Sequence, residues 1–439
     1  MEPAEIAAAP RAKSGRARII RADVWTVGAV IVAFIVAMPL ISVIGLALTP
    51  ESEVWGHLID TVFWGYVGNT LALGAGVSVG TLAIGLPTAW LVTMCRFPGR
   101  RLFEWALLVP LAVPAYVIAY TYTDILEYAG PVQGALREVF NWTSAADYYF
   151  PEIRSLFGAT LMFSLVLYPY IYLLARAAFL AQSVAVLEVS RTLGRTAWGA
   201  FWSVALPMAR PALVVGLALV LMETLNDFGT VEYFAVPTLT LGIFNVWLGM
   251  NSVEGAAQLA SILLIFVMVL IGFERAQRSG RGFQETRAQF KPLVGYELRG
   301  WRKLAAMILC GAPICLGFLV PASVLSGYAL TFYGVTLEQN VIEYAANSVM
   351  LSGGAALAAV VIAVFMAYAL RLRDSPAIRL MAWIASMGYG VPGAVLAVGA
   401  VIPLTWFDNT VDGFMRSTFG ISTGLLITGT MMAVMVGYV

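Results

Sequence analysis

Apolar runs of about twenty residues recur along this chain, and nothing else constrains its fold as strongly. Wound as an α-helix, a run of that length with few charges spans the hydrocarbon core of a bilayer. Ten can be read, at about 25–48, 67–94, 102–124, 156–180, 208–227, 255–273, 303–326, 346–370, 378–402 and 419–439. Charged residues make up 12% of the 439, about half the share in soluble domains. That excludes a soluble enzyme and a disordered chain. The expected fold class is all-α, a polytopic membrane helical bundle of about ten transmembrane helices. Pro110 and Pro114 fall inside the third run and predict a kink, because proline removes a backbone donor and crowds the preceding turn.

The basic residues sort by side on this map. Twenty-three of the 26 fall on one side of the ten spans, leaving Arg137, Arg154 and Arg416 on the other. The positive-inside rule then puts the N-terminus in the cytoplasm. Most acids face outward, and the longest external loop, about 125–155, mixes polar and aromatic residues in a way that suggests an ordered surface. A net charge of +1 gives no basic field for nucleic acid. Cys95, Cys310 and Cys315 form no CxxC pair, and His57 is the only histidine, so neither a zinc site nor a multi-histidine metal site is readable.

Self-comparison reveals a parallel repeat. A shift of 278 sets Asn69-Thr70 against Asn347-Ser348, Pro98 against Pro376, Arg101-Leu102 against Arg379-Leu380, Trp105 against Trp383 and Val113-Pro114 against Val391-Pro392. Over residues 69–119, 13 of 51 positions are identical. Apolar helices align by chance, but Asn, Pro, Arg and Trp in register do not. Phe157-Gly158 also recurs as Phe419-Gly420, a shift of 262. On that pairing the second copy's main cytoplasmic loop falls beyond Val439, so a fragment of a longer reading frame is expected.

The most informative stretch is 182–207, QSVAVLEVSRTLGRTAWGAFWSVALP. Ser183 can cap a short helix, and Gly194 suits its C-terminal left-handed turn. Thr196 can cap a second short helix with Ala197, Ala200, Phe201 and Val204 on one face, and Pro207 can open the next span. The spacing resembles the signature of ABC-importer permease subunits, which runs Glu-Ala-Ala, three residues, Gly, nine residues, Ile, one residue, Leu-Pro. Here Glu188-Val189-Ser190 is followed by Gly194, Val204 and Leu206-Pro207 at the same intervals, with Val189-Ser190 for Ala-Ala and Val204 for Ile. Two such domains in one chain, with METLNDFGTVEYFAVPTLTLGIFNVWLG at 222–249, resemble the ferric-iron group. Thiamine, sulfate and phosphonate permeases are close relatives of that group.

The resemblance implies a bacterial inner-membrane subunit that forms the translocation path, without a cofactor. It also implies two copies of a separate ATPase subunit and a periplasmic substrate-binding protein as partners, besides the lipid bilayer. Glu188 and Ser190 would belong to the ATPase-coupling loop, Gly194 would permit its turn, and Ala197 to Val204 would form the docking helix leading into Leu206-Pro207. The domains expected are 1–66 (basic N-terminus, extra anchor helix and external loop), 67–276 (first permease domain), 277–345 (basic linker and extra helix) and 346–439 (second permease domain, cut before its own loop). None of the three lysines follows a glycine, so there is no Walker A loop and no self-contained ATPase. The clearest ionisable residues within spans are Glu223 and Asp227, four apart on one helix face, with Asn226 beside them. They either line a path near its outer mouth or anchor a helix end. Should they carry protons or sodium, the chain would instead be an ion-coupled secondary transporter.

Overall fold

The computed structural model describes residues 23–49, 52–181, 192, 194, 196–279, 295–334, 340–373 and 375–439. Within them, eight helices are long and apolar enough to cross a membrane, and a further apolar pair is bent through 88°, as in a broken span or a re-entrant loop. The chain is an all-α, multi-pass membrane bundle. In order, the helices are α1 (Val24–Ala47), α2 (Ser52–Thr61), α3 (Phe63–Met94), α4 (Arg100–Ala106), α5 (Ala115–Leu126), α6 (Pro131–Phe140) and α7 (Leu156–Ala181). Then come α8 (Leu206–Asn226), α9 (Gly229–Tyr233), α10 (Leu239–Phe244), α11 (Val253–Ser279), α12 (Trp301–Ile314), α13 (Val320–Thr331), α14 (Val341–Leu372), α15 (Pro376–Ser386), α16 (Gly393–Phe419) and α17 (Met431–Tyr438). A π-helical turn, Cys315–Leu319, joins α12 to α13 as one span. Residues Cys95–Arg96 and Tyr296–Glu297 pair as a two-residue parallel ladder.

The expected kink is the 88° bend. It separates Arg100–Ala112 from Ala115–Phe140, with a 3-10 turn at Val109–Ala112 and Pro114 in the polyproline conformation just ahead of α5. The second half repeats the device at the same offset. Helices α3 and α14, each 32 residues, begin 278 positions apart, and Pro392 precedes α16 with the dihedral angles of Pro114 to within a few degrees. The repeat reaches further upstream than the sequence comparison placed it. Carried forward by 278, α1 falls on the α12–α13 span.

Those two outer helices are exchanged between halves. Trp25 of α1 stacks on Phe365 at 5.3 Å, Asp23 pairs with Arg373 at 2.7 Å, and the Pro39 carbonyl leaves no room for a Cβ at Gly399. In the reverse direction, the Tyr122 hydroxyl on α5 donates to the Leu316 carbonyl at 2.7 Å. Gly317 lies so close to Pro110 that an added Cβ would stand 3.1 Å from its ring.

Two expectations need correction. The run 419–439 is not one helix: α16 continues to Phe419, and only Met431–Tyr438 is helical beyond it. Gly420, Gly424 and Gly429 all adopt positive φ, which ends the helix there. The N–H groups so freed donate to α16 carboxylates, those of Ile427 and Thr428 to Asp408 and those of Thr423 and Gly424 to Asp412. The pairing of Phe157-Gly158 with Phe419-Gly420 fails for the same reason. The former opens α7, whereas the latter closes α16.

Two apolar cores result. One joins α3, α5, α7 and α8 around Phe163, Tyr168, Ile171 and Phe179. Glycines let α3 and α7 approach closely, so that a Cβ on Gly85 would stand 2.8 Å from Ile171. The other core packs Leu239, Ile243, Leu259 and Leu263 of the first half against Val395 and Val398 of α16.

Candidate coupling site and its connection to the membrane helices

Glu188 and Ser190 lie outside the described residues. Gly194 has φ +78°, the left-handed turn expected of it, and no atom of the described residues lies within 4 Å of a Cβ built there. The Thr196 side chain accepts from the Gly199 N–H at 3.1 Å and its carbonyl from the Ala200 N–H at 2.8 Å, so it caps the following helix as expected. That helix, Ala197–Ala200, runs without a break through a π turn at Phe201–Ala205 into α8. Inside the π turn the Leu206 N–H reaches the Phe201 carbonyl. Pro207, which cannot donate to the carbonyl four residues back, sits where the wider turn accommodates it.

The faces of this segment divide clearly. Ala200, Phe201 and Ala205 are buried, Val204 and Leu206 pack against the same core, and Trp202 is exposed. Phe201 meets the Trp90 ring edge-on at 5.0 Å and the Phe179 ring at 6.4 Å, and Trp90 meets Phe179 at 5.5 Å. Three rings therefore join the last turn of α3, the last turn of α7 and the loop helix. Phe201, expected on a partner-facing helix, faces the membrane domain instead.

Polar contacts brace the same end. Arg176 pairs with Glu104 of α4, and the Tyr172 hydroxyl donates to the Glu104 carbonyl at 3.0 Å. Arg100 donates from Nε to the Val92 carbonyl at 2.5 Å, satisfying an orphan acceptor at the C-terminus of α3 and placing a cation against the negative end of its dipole. No sequence signal singles out Trp90, Glu104, Arg176 and Phe179 together, because they come from three elements brought together only by tertiary packing.

At its far end, α8 stops at Asn226. Asp227 accepts from the Thr230 N–H at 2.7 Å, and Glu223 lies 3.3 Å from the Tyr170 hydroxyl. Asn226 accepts from the backbone N–H of Gly393 in the second half. The three residues expected along a path are thus close together, and each is engaged in a structural hydrogen bond. Among the described residues, no cluster of His, Cys, Asp or Glu could hold a metal ion.

Residues 81–277, the segment that folds from α3 through α11, match the family described as "Binding-protein-dependent transport system inner membrane component". Over these residues the chain resembles that family of transport components. The Fe(3+)-transport system permease protein of Haemophilus influenzae is 25% identical over 346 residues, 76% of this chain and 62% of its own length. The molybdenum transport system permease protein of Escherichia coli is 26% identical over 212 residues, 47% of this chain and 89% of its own. The sulfate transport system permease protein of the same organism is 27% identical over 247 residues, 55% and 86% respectively. The chain thus spans less than two thirds of the iron-transport relative, and the relatives' cargoes differ. The segment presents two kinds of surface: a buried aromatic face that packs on its own bundle, and an exposed face around Trp202.

Proposed function

We propose that the chain forms the membrane path of a binding-protein-dependent ABC importer in the bacterial inner membrane, with its N-terminus in the cytoplasm. The family match over 81–277 carries this reading. The distribution of basic residues supports the orientation. A cytoplasmic loop spanning Glu188 to Pro207 would receive one of two copies of a separate ATPase subunit. Gly194 would supply its turn, and the exposed side of 197–204 its contact. A periplasmic binding protein would deliver the cargo to the outer loops. ATP binding would then move the loop and open the path outward, and hydrolysis would reset it.

The cargo would be ferric iron or a small oxyanion. The iron reading rests on a match that extends through both halves of the chain. The oxyanion reading has molybdenum, sulfate and 2-aminoethylphosphonate permeases behind it, each matched over 47–55% of the chain. Glu223, Asn226 and Asp227 would stand at the path's edge. Their engagement in structural hydrogen bonds disfavours a proton- or sodium-carrying role and with it the secondary-transporter alternative.

Co-purification of the tagged full-length chain from its native host tests the proposal, beside Gly194→Trp. A retained P-loop ATPase, lost in the variant, is the expected result. The ligand of a co-purifying binding protein would name the cargo. Recovery of the chain without an ATPase, with ion-driven uptake in liposomes, would overturn the reading.

A further inference from the structure

The helix that begins at the coupling loop ends on the other half of the molecule. From Ala197 to Asn226 the backbone is one uninterrupted helix, roughly 44 Å long at 1.5 Å per residue. Its last residue accepts from the Gly393 N–H. That N–H is one of the orphan donors at the N-terminus of α16, and the preceding Pro392 has no N–H to offer. Asn226 therefore caps a helix of the second half from the first.

The surroundings fix both partners. On the first-half side, the Thr240 hydroxyl donates to the Leu225 carbonyl at 2.7 Å and Asp227 holds the Thr230 N–H, so the end of α8 is immobilised. On the second-half side, Val391, Val395 and Val398 are buried in a core that includes Leu225. The turn before α16 also approaches unusually closely. A Cβ at Gly390 would stand 2.8 Å from Ile271 Cδ1, and one at Gly393 would stand 3.1 Å from Asn226 Oδ1. The first half carries Ala112 and Ala115 at the corresponding places of its own turn. Missing side chains at 390 and 393 are thus what admits α11 and the end of α8, respectively.

We propose that Asn226 is a positioning residue that ties the coupling loop to the second half, so that the α8 rod cannot shift without carrying the Val391–Gly393 turn with it. This rests on the importer reading above. It assigns Asn226 to coupling between halves rather than to contact with cargo. In the resting complex the bond holds the loop against movement that the second half does not share. Its loss frees the loop to cycle on its own, and ATP hydrolysis then proceeds without the conformational work that normally limits it.

The test uses the full chain with its ATPase subunit in nanodiscs, measuring hydrolysis without binding protein together with the affinity of ATPase association. Asn226→Ala is expected to raise this basal hydrolysis roughly fivefold, the factor that one net hydrogen bond is worth, with association unchanged. Asn226→Asp keeps an acceptor oxygen and is expected to restore the wild-type rate. Asn226→Gln, which keeps the amide one methylene further out, is expected to fall between them and supplies a second variant should Asn226→Ala not assemble. Basal hydrolysis within twofold of wild type in both Asn226→Ala and Asn226→Gln would overturn the proposal. So would hydrolysis and association falling in parallel, which is what a merely structural residue gives. Failure of the wild-type chain to bind any ATPase would instead sink the importer reading itself.

Discussion

Removing the Phe201 ring should weaken ATPase docking even though Phe201 faces away from any docked subunit. The side chain is 4% exposed and lies between the Trp90 and Phe179 rings. Truncating a buried phenylalanine to alanine costs about 3–5 kcal/mol. The aromatic pairings alone account for about 0.5–1.5 kcal/mol each, so Phe201→Leu, which keeps most of the apolar volume, should cost about 1–3 kcal/mol. The α3–α7 pair is held independently by its own close packing, so the loss falls on the short helix and π turn. If the docked state requires that segment to be ordered, the cost appears as reduced affinity, tenfold for each 1.4 kcal/mol. At the lower bounds, Phe201→Ala should weaken association by about two orders of magnitude and Phe201→Leu by about fivefold. Titrating purified ATPase against the permease in nanodiscs measures both. Affinity for Phe201→Ala within twofold of wild type, with an unchanged melting temperature, would refute the claim that the aromatic triad positions the loop.

Other substitutions probe different features. Gly194→Ala should cost about 1–2 kcal/mol from its positive φ alone, since no described atom crowds the position; Gly194→Trp should abolish ATPase co-purification without lowering the melting temperature of the bundle. Arg176→Ala and Glu104→Ala should each destabilise the loop end of the bundle by about 2 kcal/mol. The double variant should cost less than their sum, which a thermal-melt cycle reads directly. In the loop between α6 and α7, N–H donors from Ser144 and Thr143 hold the Asp147 carboxyl below its ordinary value. The stabilisation it contributes is complete above the unfolded aspartate value and lost as pH falls through the depressed folded one. Trp142, stacked on Tyr148 at 4.6 Å, should report that change by fluorescence only in strong acid, whereas Asp147→Asn should produce it at neutral pH.

Length and composition made the bundle legible because a bilayer imposes one physical demand, an internally bonded apolar segment of fixed length. Pro110 and Pro114 announced the bend, and the Asn, Pro, Arg and Trp register announced the repeat. The last apolar run misled because three glycines interrupt it, and hydropathy does not register backbone conformation. The exchange of α1 with the α12–α13 span was hidden for a different reason. Lipid-facing residues are apolar whichever half a helix leans on, so the packing partner leaves no mark on the pattern. At the site, Gly194 and Thr196 were readable because turn and cap chemistry is local. Phe201 was placed on the right helix and assigned to the wrong neighbour, since an amphipathic face shows that a surface is covered but not by what.

That distinction bears on how such a chain can transmit motion. A loop contacting its own bundle only through flexible polar side chains would absorb a push from outside. Here the loop helix is continuous with α8, three rings clamp it to the ends of α3 and α7, and Arg176 and Arg100 fix those ends to α4 and to the α3 carbonyls. Bending is left to the proline turns, Val109–Pro114 in the first half and Gly388–Pro392 in the second, where backbone hydrogen bonding is already interrupted. The exchanged outer helices lie against those turns, Gly317 on Pro110 and Val36 near Gly388. Each turn is therefore flanked by a helix from the opposite half. Packing of the exchanged helices thus joins the two halves at their turns, and the Asn226 bond to Gly393 adds the link that reaches the first half's loop through α8.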